Sequence, residues 1–191
     1  MEPKRNIRHI CLTGFMGSGK STVGKILSDL LGLRFVDTDD RIEERTGMSV
    51  KHIFAGMGEE AFRRMEAEQI RSELDDPAPH VISLGGGALM DSRNLEVIRG
   101  KALLVYIFSR SEKIYERIKH STRRPLFRRD DENPSEEQSL KRIRMLMEKR
   151  SPGYEKADIK IDRDTMDAGE VARQLFGMIR KDYPMISVPK T

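Results

Sequence analysis

The stretch Gly14-Phe15-Met16-Gly17-Ser18-Gly19-Lys20-Ser21-Thr22 decides the fold of this chain. It fits the phosphate-loop pattern G-x-x-x-x-G-K-[ST], in which Gly14, Gly19, Lys20 and Ser21 occupy the fixed positions. Glycines allow the backbone to bend around a polyphosphate and to turn its N–H groups inward. The pattern therefore predicts a nucleotide site, in which Lys20 contacts the β- and γ-phosphates and the Ser21 hydroxyl faces a magnesium ion.

The residues on either side of this loop favour the same interpretation over a chance glycine-rich turn. The short apolar run Ile10-Cys11-Leu12 precedes the loop and is typical of a buried strand. After the loop, apolar residues recur at the i, i+3, i+4, i+7 and i+8 spacing of an amphipathic helix. These residues are Val23, Ile26, Leu27, Leu30 and Leu31. We expect the helix to end at Gly32.

Composition and charge restrict the class of protein. The chain has 191 residues, of which 35% are charged and 37% hydrophobic, so one polar-surfaced domain is expected. The net charge of +4 suits an anionic substrate and is too small to indicate nucleic-acid binding by itself. The single cysteine, Cys11, excludes a disulfide within the chain, and we find neither a signal peptide nor a membrane span. We therefore expect a soluble cytoplasmic protein.

Strand and helix segments alternate along the rest of the chain. Besides the strand at 10–12, apolar runs predict strands at 33–36, 81–84, 102–108 and 157–162, with the run at 102–108 as a central strand. Helices are predicted between these strands and after the last one. The alternation predicts an α/β fold, with a five-stranded parallel sheet flanked by helices in one domain over residues 1–191.

The ends of several helices carry their own signals. We expect one helix to stop at Gly100, another to be capped by Ser111, and a third to end at Ser151-Pro152-Gly153. An amphipathic pattern predicts a terminal helix, and its apolar positions are Val171, Leu175, Met178 and Ile179. Residues 183–191 are then expected to form a loose tail.

Two polar or glycine-rich turns follow the second and third predicted strands. They are Asp37-Thr38-Asp39-Asp40 and Gly85-Gly86-Gly87. Because the carboxyl ends of parallel strands face the ligand crevice of an open sheet, we expect both turns to lie near the phosphate loop. Two simpler explanations stay open: Asp39 or Asp40 could only cap a helix beginning at Arg41, and the glycines could only form a tight turn.

Two basic segments have an ordinary explanation as solvated surface. Phe62-Arg63-Arg64 lies on a predicted helix at 59–74, and residues 120–137 are highly charged with few apolar side chains. Since the second segment cannot bury much surface, we expect a mobile loop that could act as a lid on a phosphate site. Nucleic-acid binding is disfavoured there because Asp130-Asp131-Glu132 would repel phosphates.

Taken together, these motifs resemble the shikimate kinase family. The resemblance is carried by residues 14–22, Asp37 and Asp39 with Ile42-Glu43, Phe62-Arg63-Arg64 with Glu66, Gly85–Gly87, Arg124-Pro125-Leu126, and Arg150 to Tyr154. It spans roughly residues 7 to 180. Many kinases share the phosphate loop, whereas the combination is highly specific. The segment between Arg124 and Arg150 is several residues longer than is usual for the family.

The resemblance implies a fold of the nucleoside monophosphate kinase group and transfer of the γ-phosphoryl of ATP to the 3-hydroxyl of shikimate, in chorismate synthesis. It implies ATP and Mg²⁺ as cofactors. Nucleotide contacts would come from Gly17, Ser18, Gly19, Lys20, Ser21, Thr22, Arg117 and Arg124. Shikimate contacts would come from Asp39, Arg63, Gly85, Gly86, Gly87 and Arg150. Magnesium would be served by Ser21 and Asp37, and catalysis by Lys20, Asp39 and Arg124.

The roles implied within these sets differ. Asp39 would bind the accepting hydroxyl, Arg63 and Arg150 the shikimate carboxylate, Arg117 the base, and Arg124 the transferring phosphoryl from the lid. We expect a monomer that acts on small molecules, with no nucleic-acid or membrane partner. The alternatives are another small-molecule kinase of this fold, acting on gluconate or a nucleotide, and a non-catalytic nucleotide-binding regulator.

Overall fold

A five-stranded parallel sheet forms the middle of the computed structural model, which describes residues 6–119 and 134–186. Its strands are β1 (His9–Thr13), β2 (Arg34–Asp37), β3 (His80–Ser83), β4 (Ala102–Phe108) and β5 (Ile159–Asp162). Their order is β2-β3-β1-β4-β5, and all four pairings are parallel. The predicted fold class is therefore confirmed, and β4 is an interior strand between β1 and β5, as predicted.

Helices cover both faces of this sheet. In the described ranges they are α1 (Lys20–Leu31), α2 (Thr38–Thr46), α3 (Val50–Asp75), α4 (Ser92–Lys101), α5 (Ser111–Ile118), α6 (Glu136–Tyr154) and α7 (Ala168–Asp182), with a short 3-10 helix at Ala88–Met90. None of them is long and apolar enough to cross a membrane.

Two apolar clusters lie on opposite faces of the sheet because side chains alternate along each strand. Ile10 and Leu12 of β1 pack into the cluster formed with α1 and α7. Cys11, between them, packs into the other cluster, which includes residues of α3, α4 and α6. Nearly continuous burial along β1 and β4 is what a parallel strand covered on both faces requires.

Several helix ends differ from the sequence predictions. α4 continues through Gly100 to Lys101, because a glycine in a helix costs only about 1 kcal/mol and β4 begins directly afterwards. Ser111 does not cap α5: Arg110 occupies the cap position, and the Ser111 hydroxyl instead accepts a hydrogen bond from Arg144 at 3.3 Å. α6 begins earlier than predicted, since Ser135 and Gln138 form a reciprocal capping box.

The end of α6 and the start of the tail also correct the predictions. α6 passes Pro152 and ends at Tyr154, whose buried ring stacks on Tyr106 with a centroid distance of 5.0 Å. This packing stabilises an extra turn that the proline alone disfavours. In the tail, which was predicted to be loose, Ile186 is fully buried against the cluster with α1 and α7. Residues 187–191 lie outside the described ranges.

Candidate active site

The phosphate loop connects β1 to α1 at the carboxyl edge of the sheet. Gly19 immediately precedes α1 with φ of 99°, a left-handed conformation that favours glycine. At Gly14 a Cβ atom would lie 2.5 Å from the carbonyl oxygen of Ile107, so a side chain does not fit there. The Lys20 side chain is only 8% exposed, and its Nζ donates hydrogen bonds to the carbonyls of Gly14 (2.9 Å) and Phe15 (3.1 Å). The loop therefore holds a buried cation beside the positive end of α1.

Ser21 and Asp37 meet beside this loop. Ser21 Oγ donates to Asp37 Oδ2 at 2.7 Å, and Ser83 Oγ lies 3.5 Å from Ser21 Oγ. The other Asp37 oxygen, Oδ1, accepts from the backbone N–H of Asp39 at 3.1 Å and so caps α2. The helix cap is thus Asp37, not Asp39 or Asp40, and α2 begins at Thr38 rather than at Arg41.

The oxygen atoms at this point suit a hard divalent cation. One carboxylate and two hydroxyls are grouped at the end of the loop, and Mg²⁺ prefers oxygen ligands. Within the described ranges, no group of three or more His, Cys, Asp or Glu side chains could hold a metal ion. In kinase sites Mg²⁺ commonly takes one or two protein carboxylates and completes its shell with water and phosphate oxygens.

The three glycines after β3 form the floor of a second site next to the loop. A Cβ atom on Gly85 would collide with Glu66 Oε1 and lie 2.8 Å from Asp39 Oδ1. On Gly86 it would lie 3.2 Å from Arg150 Nη1, and on Gly87 it would lie 2.6 Å from Arg63 Nη2. The interpretation as a tight turn alone is insufficient, because each glycine here makes room for a charged side chain.

Thr38 fixes the position of this turn relative to β2. Its Oγ1 donates to the carbonyl of Ser83 at 3.3 Å and accepts from the backbone N–H of Gly85 at 3.0 Å. The Thr38 side chain is fully buried. The predicted acidic turn and the predicted glycine turn are therefore joined directly, which places Asp39 at the edge of the second site.

Arg63 and Glu66 form an ion pair on the wall of the second site. α3 breaks at Gly58, where φ is 83°, and the segment after the break carries both residues. Arg63 Nη1 donates to Glu66 Oε2 at 2.7 Å, and Arg63 also contacts the exposed Glu59 at 3.3 Å. Burial raises the pKa of Glu66, against the attraction of the Arg63 and Arg150 guanidinium groups. Arg63 is therefore held in place and is not a freely solvated surface residue.

Arg150 approaches the same turn from α6. Its Cζ lies 5.3 Å from the centroid of the Phe15 ring in the phosphate loop. One turn of helix further on, the Tyr154 hydroxyl donates to the carbonyl of Gly86. Burial raises the pKa of Tyr154 to about 12, so this phenol stays protonated as a donor. α6 thus docks on the glycine turn and presents Arg150 to the second site.

Arg117 lies on the nucleotide side of the loop. Its Nη1 donates to Ser109 Oγ at 3.0 Å and to the carbonyl of Gly17 at 3.4 Å. The Asp164 carboxylate, with a fully buried side chain, lies 3.7 Å from Arg117 Nη2 and accepts a hydrogen bond from Ser109. Arg117 therefore borders the phosphate loop.

A cavity of about 320 Å³ opens at this place. Its lining is cationic or rich in backbone N–H groups, and consists of Gly17, Gly19, Lys20, Ser21, Thr22, Arg117 and Arg163. Ser18, within the same loop, is buried below it. Burial, together with the neighbouring charge of Arg163, lowers the pKa of Arg117. The cavity has the charge and the size to hold the phosphates of a nucleotide.

Comparison with known proteins identifies the family of this fold and site. A sequence model of the family described as Shikimate kinase matches residues 16–180. The chain belongs to the shikimate kinase family. It is 38% identical over 185 residues to a shikimate kinase of Thermodesulfovibrio yellowstonii, covering 97% of this chain and all of that protein. Membership of the shikimate kinase family makes the chain a phosphotransferase and confirms the predicted family, fold and enzyme class.

Solved structures agree with the shikimate kinase assignment. The structure of a shikimate kinase from Acinetobacter baumannii in complex with shikimate superposes with a TM-score of 0.83 at 29% identity, covering 94% of this chain and 96% of that one. A gluconokinase from Sinorhizobium meliloti gives a TM-score of 0.57 at 16% identity, covering 93% and 94% of the two chains. The second likeness shows only a shared fold.

The structure of this shikimate kinase family member brings most of the predicted site residues together, in two neighbouring groups. Lys20, Ser21, Thr22 and Arg117 line the cavity at the phosphate loop, and Asp39, Arg63 and Arg150 surround the glycine turn. Arg124 and most of the predicted lid lie outside the described residues.

The sequence analysis missed Arg163 and Asp164. Both follow β5 at the carboxyl edge of the sheet, so the rule that drew attention to the turns after the second and third strands would also have indicated them. Their acidic and basic neighbours made the segment look like an ordinary charged turn. The role of Glu66 as the buried partner of Arg63 also became clear only from the structure.

Proposed function

We propose that this chain transfers the γ-phosphoryl group of ATP to the 3-hydroxyl of shikimate, forming shikimate 3-phosphate and ADP. The observation that carries the proposal is the convergence of Arg63, Arg150 and Asp39 on the glycine turn, directly beside the phosphate loop. Two guanidinium groups suit a small carboxylate because each planar fork can bond both oxygens. A separate carboxylate at the same turn suits a hydroxyl that must lose a proton.

The loop supplies the nucleotide half of the proposed site. Backbone N–H groups of residues 17–22 and the positive end of α1 bind the phosphates. In place of its bonds to the carbonyls of Gly14 and Phe15, Lys20 donates to the β- and γ-phosphates when nucleotide is bound. Arg117, held by Ser109 beside Gly17, contacts the base.

Ser21 and Asp37 are the proposed residues for Mg²⁺. Their oxygens are grouped beside the loop, as the chemistry of a magnesium site requires. When bound, Mg²⁺ neutralises charge on the phosphates. Asp37 also caps α2, so one side chain sets the position of both the metal ligands and the helix that carries Asp39.

In the second site, each residue has a separate part in the reaction. Arg63, held by Glu66, and Arg150 bind the shikimate carboxylate and thereby orient the ring. Asp39 accepts the proton of the 3-hydroxyl while the hydroxyl oxygen bonds to the γ-phosphorus. The bond from that phosphorus to the β,γ-bridging oxygen breaks, and ADP leaves with the electron pair.

Arg124, in the lid segment of the sequence, is the last residue of the proposed mechanism. Its role is to neutralise charge on the transferring phosphoryl group. Arg124→Ala should lower kcat roughly a thousandfold or more, the scale on which an arginine at a transferring phosphoryl acts. A kcat within a few-fold of wild type would remove Arg124 from the mechanism.

Because both halves of the site are built from one chain, we further propose a monomer, working in the cytoplasm on small molecules alone.

A coupled ADP-release assay tests the proposed function. Shikimate, gluconate and nucleoside monophosphates are compared as acceptors, with and without Mg²⁺, and Lys20→Ala serves as the variant without the phosphate-loop cation. We expect rapid ADP release only when shikimate and Mg²⁺ are both present. ADP release at the same rate without shikimate, or faster with another acceptor, would contradict the proposal.

A further inference from the structure

Arg163 lies in the turn between β5 and α7 and has no part in the mechanism described so far. Its backbone N–H donates to the carbonyl of Phe108 at 2.9 Å, which continues the pairing of β5 with β4. The backbone of Arg163 is therefore hydrogen-bonded to the sheet. From there its side chain reaches the phosphate-loop cavity, where Nε is 3.5 Å from the position that a Cβ atom on Gly19 would take.

The hydrogen bonds of Arg163 are incomplete. One guanidinium nitrogen, Nη1, donates to the carbonyl of Met166 within the same turn. The Nε atom is buried and has no hydrogen-bond partner among the described residues. A buried N–H without an acceptor is costly and uncommon in folded proteins. This donor lies beside Gly19, at the start of α1, where a phosphate-loop protein binds an anion.

The charges around the cavity lead to the same conclusion. Lys20, Arg117 and Arg163 all line it, and they also repel one another. Asp164 balances Arg117 and Arg110, with its oxygens 3.7 Å and 3.3 Å from their guanidinium groups. Within residues 6–119 and 134–186, no carboxylate lies within ion-pair distance of Arg163, although its charge helps to lower the pKa of the nearby Asp167 carboxyl. A polyanion in the cavity would add negative charge directly beside the three cationic side chains that line it.

We propose that Arg163 is a ligand of the nucleotide's phosphate chain, donating from Nε and Nη2 to a nucleoside diphosphate or triphosphate held at the start of α1. The identity of the nucleotide rests on the proposed function. The planar guanidinium can present two N–H groups to one phosphate, whereas a lysine offers a single point charge. The bond to Met166 leaves Nε and Nη2 available while it fixes the orientation of the group.

Calorimetric titration of the whole chain tests this assignment. ADP and inorganic pyrophosphate, each with Mg²⁺, are titrated into wild type, Arg163→Gln, Arg163→Lys and Arg180→Gln. Arg180 is exposed near the end of α7, and its replacement changes the net charge by the same amount. We expect Arg163→Gln to raise the Kd of both ligands on the order of tenfold to a hundredfold, the scale of a charge-assisted hydrogen bond. Arg180→Gln should leave both unchanged.

Alternatively, Arg163 could serve only to stabilise the β5–α7 turn through its hydrogen bond to Met166. Separate measurements distinguish the two roles. If Arg163 only stabilised the turn, Arg163→Gln would lower the Tm and would raise the KM for ATP and the KM for shikimate together. If Arg163 binds the phosphates, Arg163→Gln raises the KM for ATP while the KM for shikimate stays within about twofold. If Arg163→Gln does not fold, Arg163→Lys is used instead, because it keeps the charge but lacks Nε. The ADP affinity of Arg163→Lys then distinguishes the two roles.

Each outcome bears on one proposal at a time. A folded Arg163→Gln protein with the ADP affinity of wild type would overturn the assignment, even with shikimate kinase activity intact. A loss of affinity for ADP but not for pyrophosphate would move Arg163 from the phosphates to the nucleoside and would also overturn it. Wild type that binds ADP but does not phosphorylate shikimate would contradict the proposed function and leave Arg163 in place.

Discussion

Ser21 donates a hydrogen bond to Asp37 across 2.7 Å and thereby joins the first turn of α1 to the end of β2. The two residues are 16 positions apart in sequence, and the parallel pairing of β2 with β3, and of β3 with β1, brings their strand ends to one edge. Because the other Asp37 oxygen caps α2, the same carboxylate links the phosphate loop to the helix that carries Asp39. The relationship makes the two halves of the site one unit.

Replacement of Asp37 should separate its metal role from its structural role. Asn caps a helix as well as Asp does, so Asp37→Asn should keep α2 in place while it removes the charge that attracts Mg²⁺. We expect kcat at low Mg²⁺ to fall about tenfold or more and to recover in part as the Mg²⁺ concentration is raised. The check is ADP release as a function of Mg²⁺ concentration. Asp40→Asn, an exposed neighbour with the same charge change, is the control, and equal Mg²⁺ dependence in both variants would argue against a metal role for Asp37.

Asp39 gives a sharper test now that Asp37 accounts for the helix cap. Asp39→Asn keeps the size of the side chain and removes its basicity. Turnover of shikimate should fall by about a hundredfold or more, the usual scale for a positioned proton acceptor. ADP affinity, measured by titration, should stay close to wild type because the loop and Lys20 are unchanged. A variant that retains turnover would leave the acceptor carboxylate to be sought at Asp37 or Asp40.

Glu66 should act as a positioning residue through Arg63. It is buried, whereas Glu59, the other carboxylate that contacts Arg63, has 69% of its side chain exposed. Glu66→Gln keeps the shape but removes the charge that holds the guanidinium, so the KM for shikimate should rise about tenfold while the KM for ATP changes little. Glu59→Gln is the matched control and should have a small effect, as exposed ion pairs do. If the two variants had equal KM values for shikimate, the positioning role of Glu66 would be excluded.

The sequence was sufficient for those parts of the site that depend on local pattern and strand order. The phosphate loop, the acidic turn and the glycine turn each follow a strand, and a parallel sheet necessarily brings strand ends together. Arg63 became a site candidate only by resemblance, because an arginine on a helix looks the same whether it faces solvent or a buried carboxylate. Only the packing of α3 against the glycine turn distinguishes the two.

The errors have a common physical origin. Helix ends were predicted from single residues, yet α6 passes Pro152 because Tyr154 is fixed by Tyr106 and the carbonyl of Gly86. Ile186 is buried although it belongs to the terminal segment that was predicted to be loose. In both places a tertiary contact outweighs local propensity, and such contacts are not visible in a short window of sequence.

Two histidines lie at the edge of the sheet opposite to the active site. His9 begins β1 and His80 begins β3, and their ring centroids are 5.7 Å apart. Both side chains are buried. His80 lies 3.6 Å from carboxylate oxygens of Glu73 and of Asp76, while neither ring nitrogen of His9 has a hydrogen-bond partner among the described residues. The pair should therefore make the stability of the fold depend on pH.

Burial, reinforced by the charges of His80 and Arg8, lowers the pKa of His9 from 6.5 to about 4, and burial also lowers the pKa of His80. Between these values the unfolded chain binds the proton of His9 and the folded chain does not. The free energy of unfolding is thus highest above pH 6.5 and falls as the pH drops towards 4. A shift of this size in one group corresponds to roughly 3 kcal/mol.

Urea unfolding between pH 7 and pH 5 measures this effect, and His9→Gln is the variant that should reduce it. The variant loses the proton-binding group, so its unfolding free energy should fall less steeply with decreasing pH, whatever its absolute stability. His52→Gln is the matched control, because His52 is exposed on α3 and should leave the slope of wild type unchanged. Comparison of slopes rather than absolute values cancels the titration of the carboxylates, which is common to all three proteins. Parallel curves for wild type and His9→Gln would show that another group carries the pH dependence.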